Sequence, residues 1–150
     1  LIQSAGGRYR HLRHGAITTP ASLPIHERLR ILYADMTSLI AAQRPDAAAI
    51  EKLYFNTNTT TAIAVAEARG VILLALASAN IPIFEYSPSE IKQAVVGYGK
   101  AEKAQMMEMT RALLGLPARP RPDDAADALA VALCHAAMHA SLQNFRHRDG

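Results

Sequence analysis

The stretch IPIFEYSPSE, residues 81–90, changes character within a few positions. IPIFEY reads as a short strand, and SPSE is a capping box, with Ser87 as the cap, Pro88 at the first helical position and Glu90 at the third. A strand passing directly into a capped helix restricts the chain to folds in which sheet and helix alternate. The rest of the sequence repeats that alternation. LIQSAGGRYRHLRHGAITT reads as two extended pieces around Gly6-Gly7, a hairpin signal. Ile25, Leu29, Leu32, Met36, Leu39 and Ile40 have helical spacing, and Pro45 ends that helix. DAAAIEKL (46–53) is a short strand candidate, although its alanines are poor strand formers.

Residues 58–79 are long enough for a helix, with Asn80 at its end. Gly70 within it costs about 1 kcal/mol relative to alanine unless something packs closely there. The helix after SPSE ends at Gly97, and the glycine loop GYGKAEK (97–103) leads into another helix that Gly115 terminates. LPARPRP (116–122) is a stiff link, and the last helix runs from about Asp124 to about Leu142. Extended pieces first, then strands alternating with helices, predict one α/β domain over 1–150 with a mixed sheet.

Composition narrows the class. Half of the 150 residues are apolar, enough for a core without staples, and the single cysteine, Cys134, excludes an internal disulfide framework and suits a reducing cytoplasm. The net charge of +3 is compatible with nucleic acid. No 18-residue apolar run free of charge occurs, so no membrane span is expected. Leu1 is preceded by no charged leader, and the chain reads as starting inside a protein.

Three acids, Asp123, Asp124 and Asp127, open the last helix. Acids in a first turn suit the helix dipole, and Asp is a favoured cap. Asp127, however, lies a full turn inside, beside the apolar run ALAVAL, where an unpaired carboxylate is costly. Asp124 and Asp127, three apart, share a face. Glu51 ends the strand after AAAI, where open α/β sheets place ligands. Two readings stand: cap and solvated strand end, or three oxygen ligands converging on Mg²⁺. Two such ions activate a water and stabilise the leaving oxygen of a phosphodiester.

Lys92, Lys100 and Lys103 are surface charges or phosphate contacts beside those acids. Tyr54 and Phe55 either close the edge of the core or stack on bases. His135 and His139, four apart beside Cys134, lack a third ligand at zinc spacing. His11, His14, His26 and His147 read as surface residues.

The segments AIEKLYFNTN (49–58), AEARGV (66–71), IFEYSPSEIKQAVVGYGKAEKAQM (83–106), LLGLP (113–117) and DAADALAVAL (124–133) together resemble the RuvC-type Holliday-junction resolvases, in family order over nearly the full chain. The resemblance implies a ribonuclease-H-like fold, a mixed five-stranded sheet flanked by helices. It implies a homodimer that binds a four-way DNA junction and nicks two symmetric strands with divalent metal, two Mg²⁺ per subunit, leaving 5′-phosphate and 3′-hydroxyl ends. A branch-migration motor is the implied partner and the cytoplasm the implied location. By resemblance Glu51, Asp124 and Asp127 are the metal-binding acids, and Lys92 and Lys103 are the basic residues beside them, Lys103 with a catalytic role. Tyr54, Lys100 and Arg69 contact DNA, and the helix around 58–79 pairs the subunits. The family's opening G-x-D-x-G strand has no match here, so the first strand and first acid are expected to be missing and this chain to be weakly active or inactive. A non-catalytic junction-binding module is the competing function, and another ribonuclease-H-like nuclease a third.

Overall fold

The computed structural model describes residues 1–54 and 59–146. In chain order these form β1 (Ile2–Ala5), β2 (Arg8–His11), α1 (Ile25–Gln43), β3 (Ala48–Glu51), α2 (Thr59–Ser78), β4 (Ile83–Tyr86), α3 (Pro88–Val96), α4 (Lys103–Leu113) and α5 (Asp123–Arg146). The expected alternation of strand and helix is present. Helix ends differ from the sequence expectation by a residue or so, except that α5 continues four residues past Leu142. β3 is half the length of the eight-residue candidate. Phe55 and His147 lie outside the described residues.

The hairpin expected at Gly6-Gly7 forms, with β1 antiparallel to β2 in the register Ile2↔His11 to Ala5↔Arg8. Both glycines have positive φ, 55° and 73°. A two-residue loop needs that geometry to match strand twist, and glycine adopts it without a Cβ penalty. β3 pairs with β4. Ala48 N–H donates to Pro82 O at 2.9 Å and Lys52 N–H to Tyr86 O at 2.8 Å, so both strands ascend together and the pair is parallel. The pairing is mixed, as expected, but among the described residues it is divided into two two-stranded sheets instead of one five-stranded sheet.

The backbone clusters into two compact units. One comprises Leu1–Ala16, Ala49–Lys52 and Glu85–Gly150; the other comprises Ile17–Ala48 and Leu53–Phe84. The core of the first is built on α5, where Ala125, Ala126, Leu129, Ala130, Leu133 and Cys134 recur at helical spacing and are buried. α3 and α4 pack on that face, supplying Ile91, Val95 and Met107. The alanines keep α5 thin, which admits helices on several sides.

In the second unit α1 packs on α2, and Ile40, Ala75 and Leu76 are buried. The rest of α2 is unusually bare, with Ile63 and Leu74 both more than half exposed. By length and composition alone, Thr61–Ser78 is apolar enough to cross a membrane, with a mean hydropathy of 1.6 and 11% of it buried. Glu67 and Arg69 interrupt the stretch, but two charges do not remove it from that class. Gly70 has open space where its Cβ would be, so its small size serves no packing within the described chain.

The capping box at α3 is complete: Ser87 N–H donates to Glu90 Oε2 at 2.6 Å, and Glu90 N–H to Ser87 Oγ at 3.2 Å. Ser87→Ala is therefore expected to lower the unfolding free energy by about 1 kcal/mol. Leu129→Ala, at a residue only 1% exposed, is expected to cost about 2–5 kcal/mol. Urea denaturation of the two variants checks both magnitudes and their order.

Candidate active site

Glu51 is the last residue of β3, one residue before the Lys52 N–H to Tyr86 O hydrogen bond that closes the parallel pair. Asp127 stands one turn into α5. Together with Lys92 of α3 and Lys103 of α4 they line one hollow of about 230 Å³, whose remaining wall is Pro88, Ile91, Met106, Ala130 and Val131. Two carboxylates and two ammonium groups thus meet over an apolar floor. All of these residues belong to the first unit.

The electrostatics of Glu51 follow from that placement. Loss of solvation against the apolar wall raises its pKa, the Asp127 carboxylate raises it further, and Lys92 partly offsets both. A like charge facing Glu51 and a desolvated carboxyl are what a hard cation relieves.

Lys103 is the first residue of α4, where a cation opposes the helix dipole. Two acids on α5 offset this: Lys103 Nζ lies 3.3 Å from Asp123 Oδ2 and 3.9 Å from Asp127 Oδ2. Asp123 also takes Arg121 Nη1 at 2.7 Å. These pairs are more than a third exposed, so they orient the lysine more than they stabilise the fold. The sequence reading passed over Asp123 in favour of its two neighbours, yet it holds Lys103 more closely than Asp127 does. The signal available was its position as first residue of the helix.

The glycine loop has a packing duty. A Cβ at Gly99 would stand 2.6 Å from Ser89 Oγ, so any larger residue would force that hydroxyl to turn away at the start of α3. It ties α3 to α4, and so Lys92 to Lys103.

The other expected residues are not gathered in this hollow. Asp124 is exposed at the start of α5 and is not among the residues lining it. Lys100 is exposed in the loop, and Tyr54 is 65% exposed. Arg69 is half-buried on α2, in the second unit. Among the described residues, no three His, Cys, Asp or Glu side chains cluster closely enough to hold an ion. In kind, the two carboxylates at the hollow fit a hard divalent cation; in number they supply only part of a ligand set.

The histidines on α5 have a partner the sequence did not suggest. His135 Nδ1 is hydrogen bonded to Tyr86 Oη at 2.8 Å, and its ring lies 4.6 Å from that of His139. Burial, and then His139, lower the His135 pKa; burial, and then Cys134 and Glu90, raise that of Tyr86, so the pair is uncharged at neutral pH. Cys134 Sγ donates to Glu90 O at 3.7 Å, and burial pushes its thiol up to about 11. Such a thiol is neither a nucleophile nor a ready metal ligand at neutral pH.

Glu51 yields a signed stability prediction. Its folded pKa is raised, so between the ordinary carboxylate value and the raised one the native state binds more protons than the unfolded one. Stability therefore falls as pH rises through that window, and Glu51 is a cost above it. In chelator-treated protein, Glu51→Gln is expected to raise the Tm at neutral pH, with the gap closing in acid; scanning calorimetry at pH 4 and 7 measures this.

A family model described as "Crossover junction endodeoxyribonuclease RuvC" matches residues 1–135. A protein of that name from Rubrobacter xylanophilus is 54% identical over 139 residues, 93% of this chain and 78% of its own length. The Chloroflexus aggregans protein of the same name is 53% identical over 145 residues, 97% of this chain and 88% of its own. Among solved structures, Thermus thermophilus RuvC superimposes with a TM-score of 0.85 at 34% identity, covering 93% of this chain and 86% of that one. The T. thermophilus protein in complex with Holliday junction substrate gives 0.84 at 31% identity, covering 93% and 85%. The fold is thus the ribonuclease-H-like one that the resemblance implied. With a family model over most of the chain and relatives more than half identical, this chain belongs to the RuvC family of crossover junction endodeoxyribonucleases.

Proposed function

We propose that this chain resolves four-way DNA junctions, nicking symmetric strands by metal-dependent phosphodiester hydrolysis to leave 5′-phosphate and 3′-hydroxyl ends. One observation carries the placement of the chemistry: Glu51 and Asp127 share one hollow with Lys92 and Lys103. Glu51 and Asp127, with Asp124 one turn earlier on α5, are the residues that would hold Mg²⁺, two ions per subunit. When bound, such ions lower the pKa of a water and neutralise charge on the leaving oxygen.

The residues of the chain divide the remaining work. Lys103, oriented by Asp123 and Asp127, offers its ammonium group to the scissile phosphate, where negative charge develops during attack. Lys92, at the same hollow, contacts a neighbouring phosphate oxygen. The apolar floor of Ile91, Met106 and Val131 limits water and strengthens these interactions. Tyr54 presents an exposed ring for stacking on a base near the crossover. Lys100 and Arg69 contact the backbone.

The exposed apolar length of α2, with open space at Gly70, supports a homodimer paired through that helix. A dimer places two hollows on one two-fold junction, which gives symmetric cutting. A branch-migration motor is the proposed partner. The buried free thiol of Cys134 fits a reducing cytoplasm. A second reading, junction binding without cleavage, draws support from the absence of a three-acid cluster among the described residues.

Cleavage of a synthetic four-way junction in Mg²⁺ by full-length protein, one that carries the family's G-x-D-x-G strand, tests the first reading. Glu51→Gln and Asp124→Asn are each expected to reduce the rate about a hundredfold or more. Strong junction binding with no cut by the unsubstituted chain favours the second reading, and equal affinity for junction and linear duplex rejects both. Binding is expected to weaken with salt, log K falling by about 0.9 per neutralised phosphate for each unit of log salt. Replacing Lys92 and Lys103 with alanine is expected to reduce that slope by about two. Fluorescence anisotropy from low to moderate salt measures the slope.

A further inference from the structure

Tyr86 occupies a singular position. It is the last residue of β4, 8% exposed, and two of its groups tie different elements. Its carbonyl oxygen accepts the Lys52 N–H at 2.8 Å, the hydrogen bond just beyond Glu51 at the end of β3. Its phenol is hydrogen bonded to His135 Nδ1 on α5 at 2.8 Å. His135 lies eight residues beyond Asp127 on the same helix, about 12 Å along the axis. Ala130 and Val131, between them, line the hollow. One residue therefore holds the strand end that carries Glu51 through its backbone and the helix that carries Asp127 through its side chain.

The neighbouring contacts run the same way. Ser87, the next residue, caps α3, which brings Lys92 to the hollow. Cys134, adjacent to His135, donates to Glu90 O in the first turn of α3. Strand, capped helix and α5 are thereby tied within a few residues of one another, at the end of the sheet where the acids stand. Apart from Thr110 of α4, the side chains buried around α5 are apolar, and apolar packing resists sliding only weakly. A directional hydrogen bond between two part-buried partners favours one register, because a shift of either element gives that bond up.

We propose that Tyr86 and His135 are positioning residues: their hydrogen bond is the strut that sets the separation of Glu51 from Asp127, and through it the rate of junction cleavage. This rests on the assignment of those two acids to the active site. Neither residue touches the DNA or the metal. Their effect is on kcat and on the geometry of the carboxylate pair, not on substrate affinity.

The test uses the full chain with Tyr86→Phe, His135→Leu, the double variant, and His135→Asn, whose side-chain amide can occupy the place of Nδ1. Amide hydrogen exchange at Lys52 is expected to quicken about five- to tenfold in the first three variants, the scale of one hydrogen bond. Exchange at Thr110 in α4 is expected to stay unchanged. Single-turnover cleavage is expected to slow about tenfold or more, as for a small misplacement of a catalytic group. The junction Kd is expected to be unchanged. The double variant is expected to be no slower than either single one, and His135→Asn to recover most of the loss.

Unchanged exchange at Lys52 in Tyr86→Phe overturns the strut whatever the activity. So does a fall in junction affinity that accounts for the slower cleavage. Cleavage lost in Glu51→Gln yet normal in Tyr86→Phe overturns the strut alone. Cleavage that survives Glu51→Gln overturns the carboxylate assignment, and this inference with it.

Discussion

The parallel pairing of β3 with β4 is the constraint on which the candidate site depends. Only four residues of each strand are paired, so the pair has little cooperative length. Yet Glu51 stands at its last position, and the capped helix α3 begins two residues after β4 ends. If the register slipped by one residue, Glu51 would turn to the opposite face. Chain chemistry resists that slip at both ends: Ala48 to Pro82 at one, Lys52 to Tyr86 at the other.

Around that strand end the charges form one connected arrangement. Asp127 faces two ways, raising the proton affinity of Glu51 and taking part in the hold on Lys103. Lys103 in turn stands at a helix start that disfavours it, and the acids of α5 offset the mismatch. Such opposed preferences cost stability and are retained where charge is to be used. The relation of carboxylates to ammonium groups suits a phosphodiester and a divalent cation together, since each relieves one sign of the local charge.

The sequence was legible wherever structure is set locally. The capping box of SPSE, the positive-φ turn at Gly6-Gly7 and the helical spacing from Ile25 to Ile40 each depend on residues within a few positions. The family resemblance, carried by GYGKAEK and DAADALAVAL, was legible for the same reason: short stretches at fixed spacing. What stayed hidden is long-range. His135 and Tyr86 are 49 residues apart, and nothing in either neighbourhood points to the other. Asp123 drew no role from its place in the sequence, and gains one only with α4 beside it. The exposure of α2 could not be read from its residues, because composition records apolarity and not what covers it.

The sequence by itself determined the order of strands and helices, the ends of several of them, the family, and the short set of acids and lysines worth weighing. Those properties follow from backbone preferences and from spacing along one chain. The tertiary structure alone decided which of those residues meet. It brought Glu51 to Asp127, turned Asp123 toward Lys103, left Asp124 at the rim of its helix, and made His135 a partner of Tyr86 instead of a metal ligand. The physical reason is that desolvation, ion pairing and hydrogen bonding act through space over a few ångströms, and only folding converts separation along the chain into distance.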